Sequence, residues 1–144
     1  MIDELENYDA FAKKMEDQFP KMFAEQYGGF AVGKGWYPII EKLCANIQHH
    51  IDWKEKQGTP VPQVTVAQIK EKFGGLRFYY DGGDDEISGM VRMAEAWADV
   101  ACEECGAIGK RRDGGWIRTL CDAHEVEYQD RKRTQEMKAS GFEE

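Results

Sequence analysis

Four residues in the C-terminal third have the types and spacing to hold a metal ion. Cys102 and Cys105 are separated by two residues, as are Cys121 and His124, and fifteen residues lie between the pairs. Zn²⁺ takes four tetrahedral ligands, and thiolate sulfur and imidazole nitrogen suit it. A gap of two lets one chain reversal offer both ligands of a pair to the same ion. The alternative is four unrelated reduced side chains, with His124 on the surface. It must place three of the four cysteines and one of the three histidines here by accident. With all four positions supplied by protein, the site reads as closed and structural, because a catalytic zinc keeps one position open. A structural zinc contributes roughly 10–16 kcal/mol to the folding of small peptides at neutral pH. That is as large as the net stability of an ordinary domain, so the C-terminal third should depend on one Zn²⁺ per chain.

The elements around the ligands follow a treble-clef order of knuckle, hairpin and helix. Gly106 follows the first pair, and the second pair falls where a helix should begin. Between them Lys110–Arg118 reads as a hairpin turning at Asp113-Gly114, and a last helix runs from Asp122 to Lys138. Upstream, Leu5, Tyr8, Phe11, Met15 and Phe19 make an apolar stripe over a helix at 3–18, interrupted by Pro20. Pro38 opens a helix over 38–56 with Ile39, Ile40, Leu43, Cys44, Ile47 and Ile51 on one face. Cys44 in that stripe reads as a small buried hydrophobe. His49 and His50 are adjacent, so they point to different sides and read as surface or boundary residues. Gly33-Lys-Gly35 lacks the spacing and the following Lys-Ser/Thr of a phosphate loop. Residues 64–73 and 76–80 flank Gly74-Gly75 and read as a first hairpin turning on the two glycines, the alternative being a short helix over 66–73. A helix over 85–101, capped from the Asp81–Asp85 turn, has Ile87, Met90, Val91, Ala94, Ala98 and Ala101 on one face and a mainly acidic other face, and leads into the knuckle.

Both hairpins are basic in an acidic protein. The first carries Lys70, Lys72 and Arg77, and the second Lys110, Arg111, Arg112 and Arg118. A turn at Gly74-Gly75 sets Lys72 opposite Arg77, and like charges there destabilise a sheet. The compensation is internal, from acids such as Asp81, Asp84 and Asp85, or external, from an anion. Tyr79 and the nearby Trp36 or Trp116 offer stacking surfaces for a base. The candidate ligand set is therefore Lys70, Lys72, Arg77, Tyr79, Arg111, Arg112, Trp36 and Trp116.

The chain has 144 residues, 42% hydrophobic, with 19 basic and 27 acidic side chains for a net charge of −8. That suits a single domain over 1–144, with helices and a hairpin over 1–101 and a metal subdomain over 102–138. Such acidity disfavours general nucleic-acid binding, whose affinity comes largely from phosphate neutralisation. Metal-ligand cysteines imply a reducing cytoplasm. The acidic start has no signal-peptide pattern, and no apolar run approaches a membrane span.

No nucleophile elbow, nucleotide fingerprint or Ser/His/Asp arrangement emerges. A treble-clef nuclease would carry a catalytic histidine on the clef hairpin, and residues 111–117 contain none. Gly35–Ile40, Ile69–Tyr80 and Cys102–His124 resemble a group of small phage and prophage proteins of unassigned function. The resemblance implies a bacterial host cytoplasm and an accessory role exerted by binding, as in countering host defence. The expectation is thus an α+β fold: a helical N-terminal part, a β-hairpin and a C-terminal treble-clef zinc unit. Its function is non-enzymatic capture of a host protein or of a phosphate-bearing ligand such as a nucleotide. A nucleic-acid-binding regulator using the basic hairpins is the alternative, and a nuclease the weaker one.

Overall fold

The computed structural model describes residues 2–141, with side chains from residue 10 onward. Leu5 and Tyr8 of the first apolar stripe lie outside the described side chains. The fold is α+β. Helix α1 spans Ile2–Gln18, β1 Phe30–Ala31, α2 Tyr37–Lys56, β2 Thr65–Lys72 and β3 Gly75–Asp81. Then follow α3 at Asp85–Ala98, β4 at Lys110–Arg112, β5 at Arg118–Leu120 and α4 at Asp122–Ala139. The 3.6-residue periodicity fixes the helices: Phe11 and Met15 of α1 are buried, as are Ile40, Leu43, Cys44, Ile47 and Ile51 of α2. Cys44 is a core residue, and burial pushes its thiol up.

The first sheet has the order β1-β2-β3. Strand β1 pairs parallel with β2 through Phe30 and Ile69. Two residues of strand carry no alternation signal, so this edge is invisible in the sequence. It is set by neighbours: the Gly28 amide donates to the Ala67 carbonyl at 2.6 Å, and the Ile69 amide to that of Gly29 at 3.2 Å.

The hairpin β2–β3 is present, which excludes the short helix, but its turn differs by one residue from the expectation. Lys72 pairs with Gly75, so Phe73-Gly74 is the turn, and Lys70 rather than Lys72 stands opposite Arg77. Phe73 has φ +53° and Gly74 φ +78°. Both central residues take the left-handed backbone that suits two-residue hairpins. Alternation along the strands predicts Ile69, Phe73, Leu76, Phe78 and Tyr80 on the core face; Ile69, Leu76 and Phe78 are buried there, but Phe73 is exposed. Lys70, Lys72, Arg77 and Tyr79 do share the opposite, outer face.

Helices α2 and α3 pack against each other and the sheet. Asp84 caps α3, its Oδ1 accepting from the Ile87 amide at 3.0 Å. His50 is buried rather than on the surface. Its Nε2 lies 2.8 Å from Asp84 Oδ2 and its Nδ1 3.3 Å from Glu86 Oε2. This cross-link between α2 and the start of α3 needs a loop to return Asp84 to the helix, which no local spacing reveals. The hydrogen bond with His50 is the largest cause holding the Asp84 carboxyl below its ordinary value. Helix α3 ends at Ala98, and tight turns at Asp99, Val100 and Ala101 replace its expected last residues.

Asp84→Ala removes both the cap and the partner of His50. It should lower unfolding free energy by about 1–2 kcal/mol at neutral pH in urea titrations. A carboxyl whose folded pKa is depressed stabilises above its unfolded pKa. The wild-type advantage should therefore shrink only as pH falls below the ordinary carboxylate range, and hold at pH 6.

Candidate metal centre and adjoining surfaces

The first ligand pair sits on a tight knuckle. Ala101 bridges Ile108. The Cys102 amide donates to the Ala107 carbonyl at 2.8 Å, and the Gly106 amide to the Cys102 carbonyl at 2.8 Å. Gly106 turns with φ +81°, which a side chain rarely allows. The second pair is at a helix start. Cys121 is the N-cap of α4, its Sγ accepting from the His124 amide at 3.4 Å. That hydrogen bond is the largest cause bringing the Cys121 thiol down to about 7. Thiolate is the metal-binding form.

The ligand atoms of Cys102, Cys105, Cys121 and His124 lie within 4.8 Å of one another. Cys102 Sγ is 3.7 Å and Cys121 Sγ 3.2 Å from His124 Nδ1, and Cys105 Sγ is 3.8 Å from Cys121 Sγ. A zinc tetrahedron with bonds of about 2.3 Å to sulfur and about 2.0 Å to nitrogen has edges of about 3.5–3.8 Å. The cluster can hold a metal ion, and its donor set suits zinc. His124 would bind through Nδ1. Its Nε2 faces Glu127 Oε2 at 3.6 Å, the placing of a carboxylate that orients a ligand histidine.

The Gly-Lys-Gly triplet positions this knuckle. The Gly35 amide donates to the Glu103 carbonyl at 2.7 Å. A Cβ on Gly35 would meet the Cys102 carbonyl oxygen at 2.1 Å, and one on Gly33 the Glu103 oxygen at 2.3 Å. Both glycines are therefore required by close backbone approach, not by phosphate. Trp36 follows, fully buried, its Nε1 donating to the Ala101 carbonyl at 2.8 Å. This removes Trp36 from the stacking candidates: it has no face open to a ligand.

Glu103 joins the knuckle to β5. Its amide donates to the Thr119 carbonyl at 3.0 Å, and its Oε1 accepts from the Thr119 amide at 3.3 Å. Burial is the largest cause raising its carboxyl. Thr119 Oγ1 in turn donates to the Gly74 carbonyl at 2.7 Å, docking the first hairpin's tip on the second hairpin. Neither role shows in the sequence, because both depend on non-local backbone.

The second hairpin turns through residues 113–117 rather than on Asp113-Gly114 alone. That longer loop carries Trp116, 72% exposed. Arg111 is exposed. Arg112 is withdrawn from the candidate ligand set. Its Nη2 donates to the Leu120 carbonyl at 3.0 Å and to Asp122 Oδ1 at 2.8 Å, and its Nε lies 3.6 Å from Glu125. Arg118 is held by Glu104 at 2.7 Å. The outer face of α3 is not mainly acidic. Met93 is 63% and Trp97 56% exposed, beside an apolar groove of about 690 Å³ with Ile39, Met90 and Gly89 in its wall.

No protein-family model, curated protein or solved structure matches the chain. No described helix is long and apolar enough to cross a membrane.

Metal analysis should find one zinc per chain, and Cys102→Ser should lose it together with a large part of the melting temperature. Gly35→Ala keeps every ligand but forces the knuckle away. It should cost about 3 kcal/mol in chemical denaturation, as overpacking a rigid contact does, and weaken zinc retention against a chelator.

Proposed function

We propose that the chain is a zinc-stabilised, non-catalytic binding protein that captures a phosphate-bearing ligand on the outer face of the first hairpin. The observation that carries this reading is the pairing of Lys70 with Arg77, with Lys72 next on the same face. Among the described residues, none of the three has a carboxylate at ion-pair distance. Asp84, one acid that would relieve them, is committed to His50 and the Ile87 amide. Directly opposed like charges cost a sheet stability. A phosphate would relieve that cost, with arginine as bidentate partner and lysine as point charge. Lys70 Nζ lies 5.9 Å from the centre of the half-exposed Tyr79 ring, which offers a base a stacking face beside the charges. In the setting that the sequence resemblance implies, a phage accessory protein in the bacterial cytoplasm would sequester a nucleotide used in host defence.

A second reading, capture of a host protein, is favoured by the groove between α2 and α3. Gly89 lies mid-helix in its wall, and a Cβ there would meet nothing within 4 Å. Glycine inside a helix costs roughly 0.5–1 kcal/mol against alanine. Nothing among the described residues requires it, whereas an amphipathic partner helix crossing there could approach closely. Lys42 at the groove's side fits an acidic flank on that helix. Gly89→Leu should abolish such a complex, read by titration calorimetry with the partner, and leave nucleotide binding intact.

A thermal-shift screen of mononucleotides and cyclic nucleotides tests the first reading. Some nucleotide should raise the melting temperature by linkage, and Arg77→Ala should abolish the shift while the fold and zinc content persist. A flat screen, or a shift indifferent to Arg77, would overturn it.

A further inference from the structure

Phe73 takes a backbone conformation that glycine or asparagine would fill more easily. Its φ is +53°, and its ring is 63% exposed, so no burial offsets the strained turn. Local strain kept without packing benefit points to function. Phe73 lines a slot of about 320 Å³ together with Trp116, Ile117, Gly115 and Lys72. Trp116 also lines a second groove of about 670 Å³, with Tyr128, Arg131 and Lys132 from α4. One exposed indole is thus a shared wall between two adjoining spaces.

The charges sort in one direction. Of the acids at these spaces, Glu104 Oε1 accepts from Arg118 at 2.7 Å, and Glu71 in the slot wall is turned to the Gly74 amide at 2.8 Å, keeping its charge. Lys72 and Arg131 have no ion-pair partner among the described residues. Lys132 Nζ donates only to the Gly114 carbonyl, at 3.4 Å, which steadies the loop bearing Trp116. Lys72 Nζ lies 5.8 Å from the Phe73 ring centre and Arg118 Cζ 5.6 Å from that of Tyr128. Aromatic rings interleaved with cations suit an unpaired strand, since every base has a stacking face and every linkage a charge. A duplex hides those faces.

We propose that this surface binds a single-stranded oligonucleotide. One base enters the slot between Phe73 and Trp116, and the next lies against Trp116 and Tyr128. The linking phosphates meet Lys72, Lys132 and Arg131. Two spaces sharing one ring suit consecutive bases and leave a mononucleotide using half the surface. The inference rests on the reading above that the ligand carries phosphate, and extends it to a strand that passes beyond the Lys70–Arg77 pair.

The test is fluorescence anisotropy at low salt with single-stranded DNA and RNA of increasing length, from one nucleotide upward, and with a duplex of the same sequence. A short single strand should bind roughly tenfold or more tighter than the mononucleotide and the duplex, the scale of one added stacked base. Phe73→Gly removes the ring while easing the turn, so the fold should persist or gain stability. It and Trp116→Ala should each weaken strand binding roughly tenfold, while Trp53→Ala, an exposed tryptophan elsewhere, should not. DNA and RNA binding alike would assign the recognition to bases and phosphates, and a preference for one would assign it to the sugar as well. Strand binding no tighter than mononucleotide binding, or unmoved by folded Phe73→Gly and Trp116→Ala, would overturn the inference. A nucleotide shift that depends on Arg77 but shows no gain with length would remove the strand and leave the hairpin site standing.

Discussion

The structure depends on how closely Gly35 approaches the first pair of metal ligands. Its amide meets the Glu103 carbonyl at 2.7 Å, and the place of its missing Cβ is 2.1 Å from the Cys102 carbonyl oxygen. The ligands are in register with the core only if the backbone passes at that distance. Trp36 fixes the same junction from inside, its ring in the core and its Nε1 on the Ala101 carbonyl. The second pair has its own anchor. Gly74 at the hairpin tip accepts from Thr119, two residues before Cys121. Two separate segments of the body therefore hold the two halves of the metal site.

Those anchors matter because the Cys3His unit has little apolar core. Its buried cluster is Cys102, Leu120 and Cys121, with Tyr128 packed alongside, and α4 buries no residue. Two of the three cluster members are themselves candidate metal ligands. Ordering backbone costs about 1–2 kcal/mol per residue, and a cluster this small cannot offset that over a hairpin and a helix. Docking on the body contributes part of the rest, and a metal bound by the four ligands would contribute more. The α2–α3 and sheet core is built differently, from a continuous set of buried aromatic and aliphatic side chains. Loss of the metal should then loosen residues 102–139 well before it loosens α2, whose buried stripe owes nothing to the ion.

What was legible in the sequence was local. The paired spacing led to the cluster of Cys102, Cys105, Cys121 and His124, because ligand geometry constrains residues close along the chain. Periodicity led to the helices, and alternation to the outer face of the first hairpin. What escaped was set by partners far along the chain. The hairpin turn moved to Phe73-Gly74 because a Gly-Gly pair permits either register, and Glu71 and Thr119 bind the Gly74 backbone in the one adopted. Trp36 is no stacking surface because it is buried with its N–H on the Ala101 carbonyl, a partner far along the chain. His50 looked peripheral because its partner, Asp84, lies in a distant loop. Gly33 and Gly35 are required by a knuckle that closes against them from much later in the chain, which local spacing does not reveal.

Net charge sets how an anionic ligand could be held. At −8 the protein repels phosphate at long range, so electrostatic steering cannot be the main source of affinity. Screening confines that repulsion, since exposed charges separated by more than roughly 8–10 Å interact weakly at physiological salt. Of the two acids nearest the exposed rings, Glu104 is paired with Arg118, while Glu71 accepts from the Gly74 amide and keeps its charge. Contact forces then decide. A stacked base contributes about 1–3 kcal/mol and is indifferent to net charge. A ligand on this surface would therefore be held first by its rings and second by the cations. Its affinity would fall less steeply with salt than that of a protein relying on many phosphate contacts. An acidic protein with a few exposed aromatic faces is thus not a poor nucleotide binder by construction. In such a protein the position of Phe73, Tyr79 and Trp116 would matter more than the count of lysines and arginines.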